Sequence, residues 1–183
     1  MALVLRPARS GGTDGAGRAA GTDEAALQRL DAGTGGVLGD SGPGWHAAAA
    51  AAPDRVHLVL DDGAGLAGYL VLAGPRGPEP GVELHRLVVA VEHRGTGLGR
   101  ALLRAALTLA AVPGAAGPDG VTVDPGWAAP PWLAAGRLWL EVAPDNRPAL
   151  ALYRAEGLVV ETRLPSVPGC PTAPALRLVL ARE

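Results

Sequence analysis

The stretch that most limits what this chain can become runs from Leu87 to Ala111. Leu87-Val88-Val89-Ala90-Val91 is apolar without a break, as expected of a central strand buried on both faces. Glu92-His93 then lead into Arg94-Gly95-Thr96-Gly97-Leu98-Gly99-Arg100-Ala101. Within Gly97–Ala111, Leu98, Ala101, Leu102, Ala105 and Leu109 recur at helical spacing. Strand, glycine-rich turn and helix therefore follow one another.

That order is a phosphate cradle. Glycine turns with positive φ and lets backbone approach a ligand closely. The free N–H groups of the helix's first turn face an anion, aided by the helix dipole. Arg94 and Arg100 can add charge-assisted hydrogen bonds. A Rossmann site needs G-x-G-x-x-G directly after its strand; here the spacing is G-x-G-x-G. The Gly-Lys-Ser/Thr of a Walker A loop is missing, because the chain contains no lysine.

The rest of the chain reads as strands and helices in mixed order. Leu3–Arg6 is strand-like, and a helix with Thr22 as N-cap follows the Gly/Ala-rich loop 10–21. Trp45–Ala52 is a short helix. Val56–Asp61 and Leu66–Ala73 alternate around Asp61-Asp62-Gly63-Ala64-Gly65 and predict a hairpin. Val82–Val91 is the next strand. The segment 112–136 is a long connection with Trp127, Trp132 and five prolines. Loops of that length are usually functional or disordered. Trp127 and Trp132 are candidates to cap an acceptor pocket or to make a homodimer contact, against a plain disordered insertion. Leu138–Val142 is a strand, Asn146–Glu156 a helix stopped by Gly157, and Leu158–Leu164 and Ala175–Leu180 are the last strands.

Composition bounds the class. The 183 residues fit a single domain, and 48% hydrophobic content is enough for a core. A net charge of -2 gives no pull toward nucleic acid or acidic membrane. No apolar run is long enough to span a bilayer, and the opening Met1–Pro7 is too short for a signal peptide's core. A cytoplasmic protein is expected. One cysteine, Cys170, forms no internal disulfide, and no Cys/His set has zinc spacing. No metal is expected. Asn146 is the only asparagine, and Tyr69 and Tyr153 are the only tyrosines.

The turn R-x-x-G-x-G followed by Arg100-Ala101-Leu102-Leu103 resembles the pyrophosphate loop of the GCN5-related N-acetyltransferases, the GNAT family. A second motif follows in the family's order: Leu138-Trp139-Leu140-Glu141-Val142, Asn146, Leu152-Tyr153 and Gly157-Leu158, with Leu158 where the family usually has Phe. The resemblance implies an α/β (α+β) fold: one mixed, mostly antiparallel sheet of six to seven strands, flanked by helices, with its central strands splayed. It implies acetyl-CoA as co-substrate, and a small-molecule amine or a peptide N-terminus as acceptor. The pantetheine arm would lie between the splayed strands and pair with the backbone of Leu87, Val88 and Val89. Its pyrophosphate would sit on Arg94, Gly95, Thr96, Gly97, Leu98, Gly99, Arg100 and Ala101. Asn146 would hold the arm or cap a helix, and Tyr153 would protonate the leaving thiolate.

Two carboxylates compete for the general base that removes a proton from the attacking amine. Glu141 is preferred, since Leu-Glu-Val followed by Asn and Leu-Tyr resembles the subgroup that acetylates ribosomal-protein N-termini. Glu83 resembles the base position of histone-type members. His85 is a weaker option, His93 reads as packing, and His46 and His57 read as incidental. The alternative to an enzyme is a non-catalytic acyl-CoA-binding module of the same fold.

Overall fold

The computed structural model describes residues 3–9, 12–13, 19–20, 22–35, 42, 44–75, 80–165 and 174–180. Cys170 and most of the 10–21 loop lie outside them. In chain order the elements are β1 (Leu3–Pro7), β2 (Gly12–Thr13), β3 (Ala19–Ala20), α1 (Glu24–Ala32), α2 (Trp45–Ala51), β4 (Arg55–Asp61), β5 (Leu66–Ala73) and β6 (Val82–Val89). There follow α3 (Leu98–Leu109), β7 (Val121–Val123), β8 (Leu138–Val142), α4 (Arg147–Ala155), β9 (Leu158–Leu164) and β10 (Ala175–Leu180).

One sheet of eight strands carries the fold, in the order β7-β1-β4-β5-β6-β8-β10-β9. The family resemblance implies six to seven. The additional strand is β7, three residues inside the 112–136 connection, which runs parallel to β1 along the sheet's edge. The connection is further anchored by Leu133, which is buried, and by Trp132, which packs against Gly74 at 3.3 Å from the position a Cβ would take there.

The apolar side chains fall into two clusters, one on each face of the sheet. On one face α3 and α4 cover Leu58, Leu70, Leu72, Leu84, Leu138 and Leu140. On the other, Leu27 and Leu30 of α1 meet Val59, Tyr69, Val71 and Val88. The alternation of strand side chains accounts for the split, since Leu70 and Leu72 serve one face while Tyr69 and Val71 serve the other.

Local signals hold with small shifts. Asp23, not Thr22, is the N-cap residue of α1. Its carboxylate is spent elsewhere, accepting from the Arg6 guanidinium at 2.8 and 3.1 Å and from the Arg9 backbone N–H at 2.7 Å. The β6 strand stops at Val89; Val91 opens a short 3-10 turn and is 57% exposed, so the apolar run outlasts the buried strand.

Two irregularities shape the centre of the sheet. Between β5 and β6, Leu72 faces Leu84 and Val71 faces Arg86, so His85 is an extra residue bulged out of the ladder. Between β6 and β8, which run parallel, only Val82↔Leu138 and Glu83↔Trp139 pair. Gly81 starts that pair at φ +93°, and a Cβ there would stand 2.6 Å from the Arg137 carbonyl oxygen. Only glycine fits this close approach. Beyond Glu83 the two strands part, leaving one edge of β6 without a strand partner among the described residues.

Candidate active site

The turn after β6 is built as its residues dictate. Gly95 and Gly97 take φ +78° and +94°, and the Thr96 hydroxyl donates to the His93 carbonyl oxygen at 2.6 Å. Gly97 is the N-cap of α3. The first helical bond is Ala101 N–H to Gly97 O, 3.1 Å. The N–H groups of Leu98, Gly99 and Arg100 therefore find no acceptor among the described residues, the usual state of a first helical turn. Three such donors at the first turn of a helix, beside an open strand edge, can take an anionic group.

The two arginines are already engaged. Arg94 donates to the carbonyl oxygens of Val89 (3.3 Å) and Gly33 (2.8 Å), tying the turn to the end of α1. Arg100 forms an ion pair with Glu156 at 2.8 Å.

The second motif comes to the same place. A Cβ on Gly99 would lie 3.4 Å from Leu152 of α4 and 3.8 Å from Val89 of β6, so α4 closes on the turn across the parted strands. Tyr153, next to Leu152, packs against the α3/α4 core. Its hydroxyl has no hydrogen-bond partner among the described residues, and burial pushes its pKa up to about 12. Asn146 is the N-cap of α4; its Oδ1 accepts from the Ala149 N–H at 3.3 Å, which is the helix-cap reading.

The two carboxylates lie on the opposite face. Glu83 and Trp139 are cross-strand partners, and Glu141 follows Trp139 by two residues, so all three project away from α3 and α4. Glu141 is exposed and accepts from Arg177 at 2.9 Å. The Arg177 guanidinium also lies over the Trp139 ring, 4.7 Å from its centroid. Glu83 bonds His85 Nδ1 at 2.8 Å. His93 lies 3.7 Å from Asp62.

Sequence reading missed a buried polar hub beside the bulge. Asp31 of α1 accepts from the Tyr69 hydroxyl, from Arg86 Nη1 at 3.2 Å, and bonds His46 Nε2 at 3.0 Å. The Arg86 guanidinium lies 3.6 Å from the Trp45 ring centroid, and Trp45 in turn stacks on His85. His46 and His57 are both buried, their rings stacked at 5.2 Å. Burial lowers the pKa of both, that of His57 to about 4. Burial and the Asp31 carboxylate raise that of Tyr69. Among the described residues no group of three His, Cys, Asp or Glu is placed to hold a metal ion, and no helix is long and apolar enough to cross a membrane.

Residues 35–116 match the acetyltransferase (GNAT) family, a span that holds β4 to β6, the glycine turn and α3. No curated protein matches the sequence. Among solved structures, nourseothricin acetyltransferase is 27% identical, with a TM-score of 0.50 over 70% of this chain; the match spans 65% of that protein. Spermidine N-acetyltransferase from Vibrio cholerae, solved with CoA and spermine, has a TM-score of 0.65 at 18% identity, covering 97% of this chain and 94% of its own. An IAA acetyltransferase from Bacillus cereus superposes at 0.59 and 15% identity, covering 97% and 98%. These solved structures give the fold and do not single out the ribosomal-protein subgroup. Over residues 35–116 the chain is similar to the acetyltransferase (GNAT) family, and its fold is that of these neighbours.

Proposed function

We propose that this protein transfers the acetyl group of acetyl-CoA to a primary amine, by direct attack within a ternary complex. The observation that carries the reading is the parting of β6 and β8 after Glu83, directly upstream of a helix turn with three free N–H donors. The open edge of β6 at Leu87–Val89 would take the pantetheine amides as an added strand. The donors of Leu98, Gly99 and Arg100 would take the pyrophosphate.

Bound there, acetyl-CoA supplies an activated thioester carbonyl. The chain supplies the proton transfers. A primary amine of the lysine type has a pKa of about 10.4 and must be neutral to attack. Glu83, backed by His85 at 2.8 Å, would accept its proton from the α1/α2 face of the gap. Glu141 is held by Arg177, so we assign it a role in orienting the acceptor rather than in proton removal. Tyr153 stands on the α4 side. Its pKa of about 12 keeps the phenol protonated at neutral pH, as a donor to the departing thiolate requires. Asn146 fixes the start of α4 and through it the position of Tyr153.

The relatives named for nourseothricin and spermidine make those two compounds the first acceptors to try, followed by free amino acids and peptides with a free N-terminus. The test is an acetylation screen that reads thiol release together with the mass of the acetylated amine. Acetyl-CoA-dependent product that falls in Tyr153→Phe supports the reading. A protein that binds acetyl-CoA but acetylates no amine is the non-catalytic binding module instead.

A further inference from the structure

Glu156 joins the donor turn to α4 in an uneven way. Its side chain is only 7% exposed and lies between two arginines of α3. Arg104 grips it as a fork, Nε to Oε2 at 2.6 Å and Nη2 to Oε1 at 3.3 Å. Arg104 also reaches Asp119 at 2.6 Å. Arg100 touches the same carboxylate through Nε, at 2.8 Å, with its own side chain 52% exposed. One arginine is fixed and the other is half in solvent. The half-exposed one sits in the first turn of α3, where its backbone N–H is one of the three free donors.

We propose that Glu156 is a latch for Arg100. Without the donor, Glu156 parks the Arg100 guanidinium on the α4 side. When the pyrophosphate binds at the first turn of α3, Arg100 leaves Glu156 for the phosphate oxygens. The carboxylate does not become a buried unpaired charge, because the Arg104 fork stays on it. Glu156 is then a positioning residue that acts through Arg100 and competes with the donor for it. Arg104 sets the strength of that competition by neutralising Glu156. This inference rests on the donor site proposed above.

A double-mutant cycle tests it, with CoA binding read by calorimetry. Glu156→Gln removes the competing charge and is expected to tighten CoA binding about two- to fivefold, the range of a partly exposed ion pair. In an Arg100→Ala background the same substitution is expected to change nothing, since there is no arginine left to release. Arg104→Gln leaves Arg100 as the only arginine on Glu156, and is expected to weaken CoA binding. A purely structural role predicts the same sign for Glu156→Gln and Arg104→Gln, because both loosen the contact between α3 and α4. Weaker or unchanged binding in Glu156→Gln, or a gain that persists without Arg100, overturns the latch while leaving the donor site standing. A folded wild type that binds no CoA overturns the donor site, and the latch with it.

Discussion

Glu83 lies directly opposite Trp139, and that pair is the last one β6 and β8 share. Upstream the two strands are locked by Gly81, whose missing Cβ lets the Arg137 carbonyl approach. Downstream they are free to part. Glu83 therefore stands at the apex of the gap, where an amine entering from the α1/α2 face would meet the thioester. Glu83→Gln is expected to lower kcat by about a hundredfold, in the range of a lost general base. Glu141→Gln should change kcat by less than about fivefold and act mainly on the acceptor KM. Steady-state kinetics on both variants checks this; the reverse ranking would make Glu141 the base.

Among the described residues the Tyr153 hydroxyl has no hydrogen bond to lose, so it contributes little to folding and much to the proposed chemistry. Tyr153→Phe is expected to lower kcat about tenfold or more, with Tm unchanged or higher and acetyl-CoA affinity unchanged. Its pKa of about 12 also predicts that deprotonation of this phenol causes no loss of activity up to about pH 10. An alkaline limb near pH 9 that disappears in Tyr153→Phe would show the phenol ionising far lower.

His57 predicts how stability depends on pH. Its folded pKa is about 4, against 6.5 for the free side chain. Between those values the unfolded chain holds more protons than the folded one, so stability rises with pH. Stability is full above about pH 6.5 and is lost as pH falls toward 4, by about 3 kcal/mol in all. Chemical denaturation across this window should show the slope, and His57→Leu should flatten it. An unchanged slope in that variant would place the titration elsewhere.

Asp31 gathers groups from α2, β5 and β6 on one carboxylate. Asp31→Ala leaves Arg86 without this partner in a buried setting and is expected to cost about 3–5 kcal/mol, as broken buried ion pairs do. Because Arg86 carries Trp45, and Trp45 stacks on His85, the variant should also raise the acceptor KM more than the acetyl-CoA KM. Equal rises would mean that the hub serves stability alone.

The parts of this site that could be read in the sequence are the local ones. The glycine turn, α3, α4 and the β8 strand each announce themselves within a dozen residues, through spacing and turn chemistry. The Asp31 hub could not be read this way: Asp31 and Arg86 are 55 residues apart, and Asp31 and Tyr69 are 38 apart. Nothing near His46 or His57 marks them as buried. The strand β7 was hidden for a related reason. Three residues in a proline-rich connection carry no period, and the partner that makes them a strand is β1, at the far end of the chain order. Asn146 was legible as to place but not as to use, because a helix cap and a ligand contact call for the same residue.

The donor site can be tested most directly by backbone amide hydrogen exchange, with and without acetyl-CoA. In the free protein the Leu98, Gly99 and Arg100 N–H groups have no acceptor among the described residues and should exchange fast. With acetyl-CoA they should slow by about tenfold or more, together with amides of Leu87–Val89 on the open edge of β6. Protection at both places in one titration is the predicted result. Saturable binding of acetyl-CoA with protection at neither would contradict the account and place the donor elsewhere on the molecule.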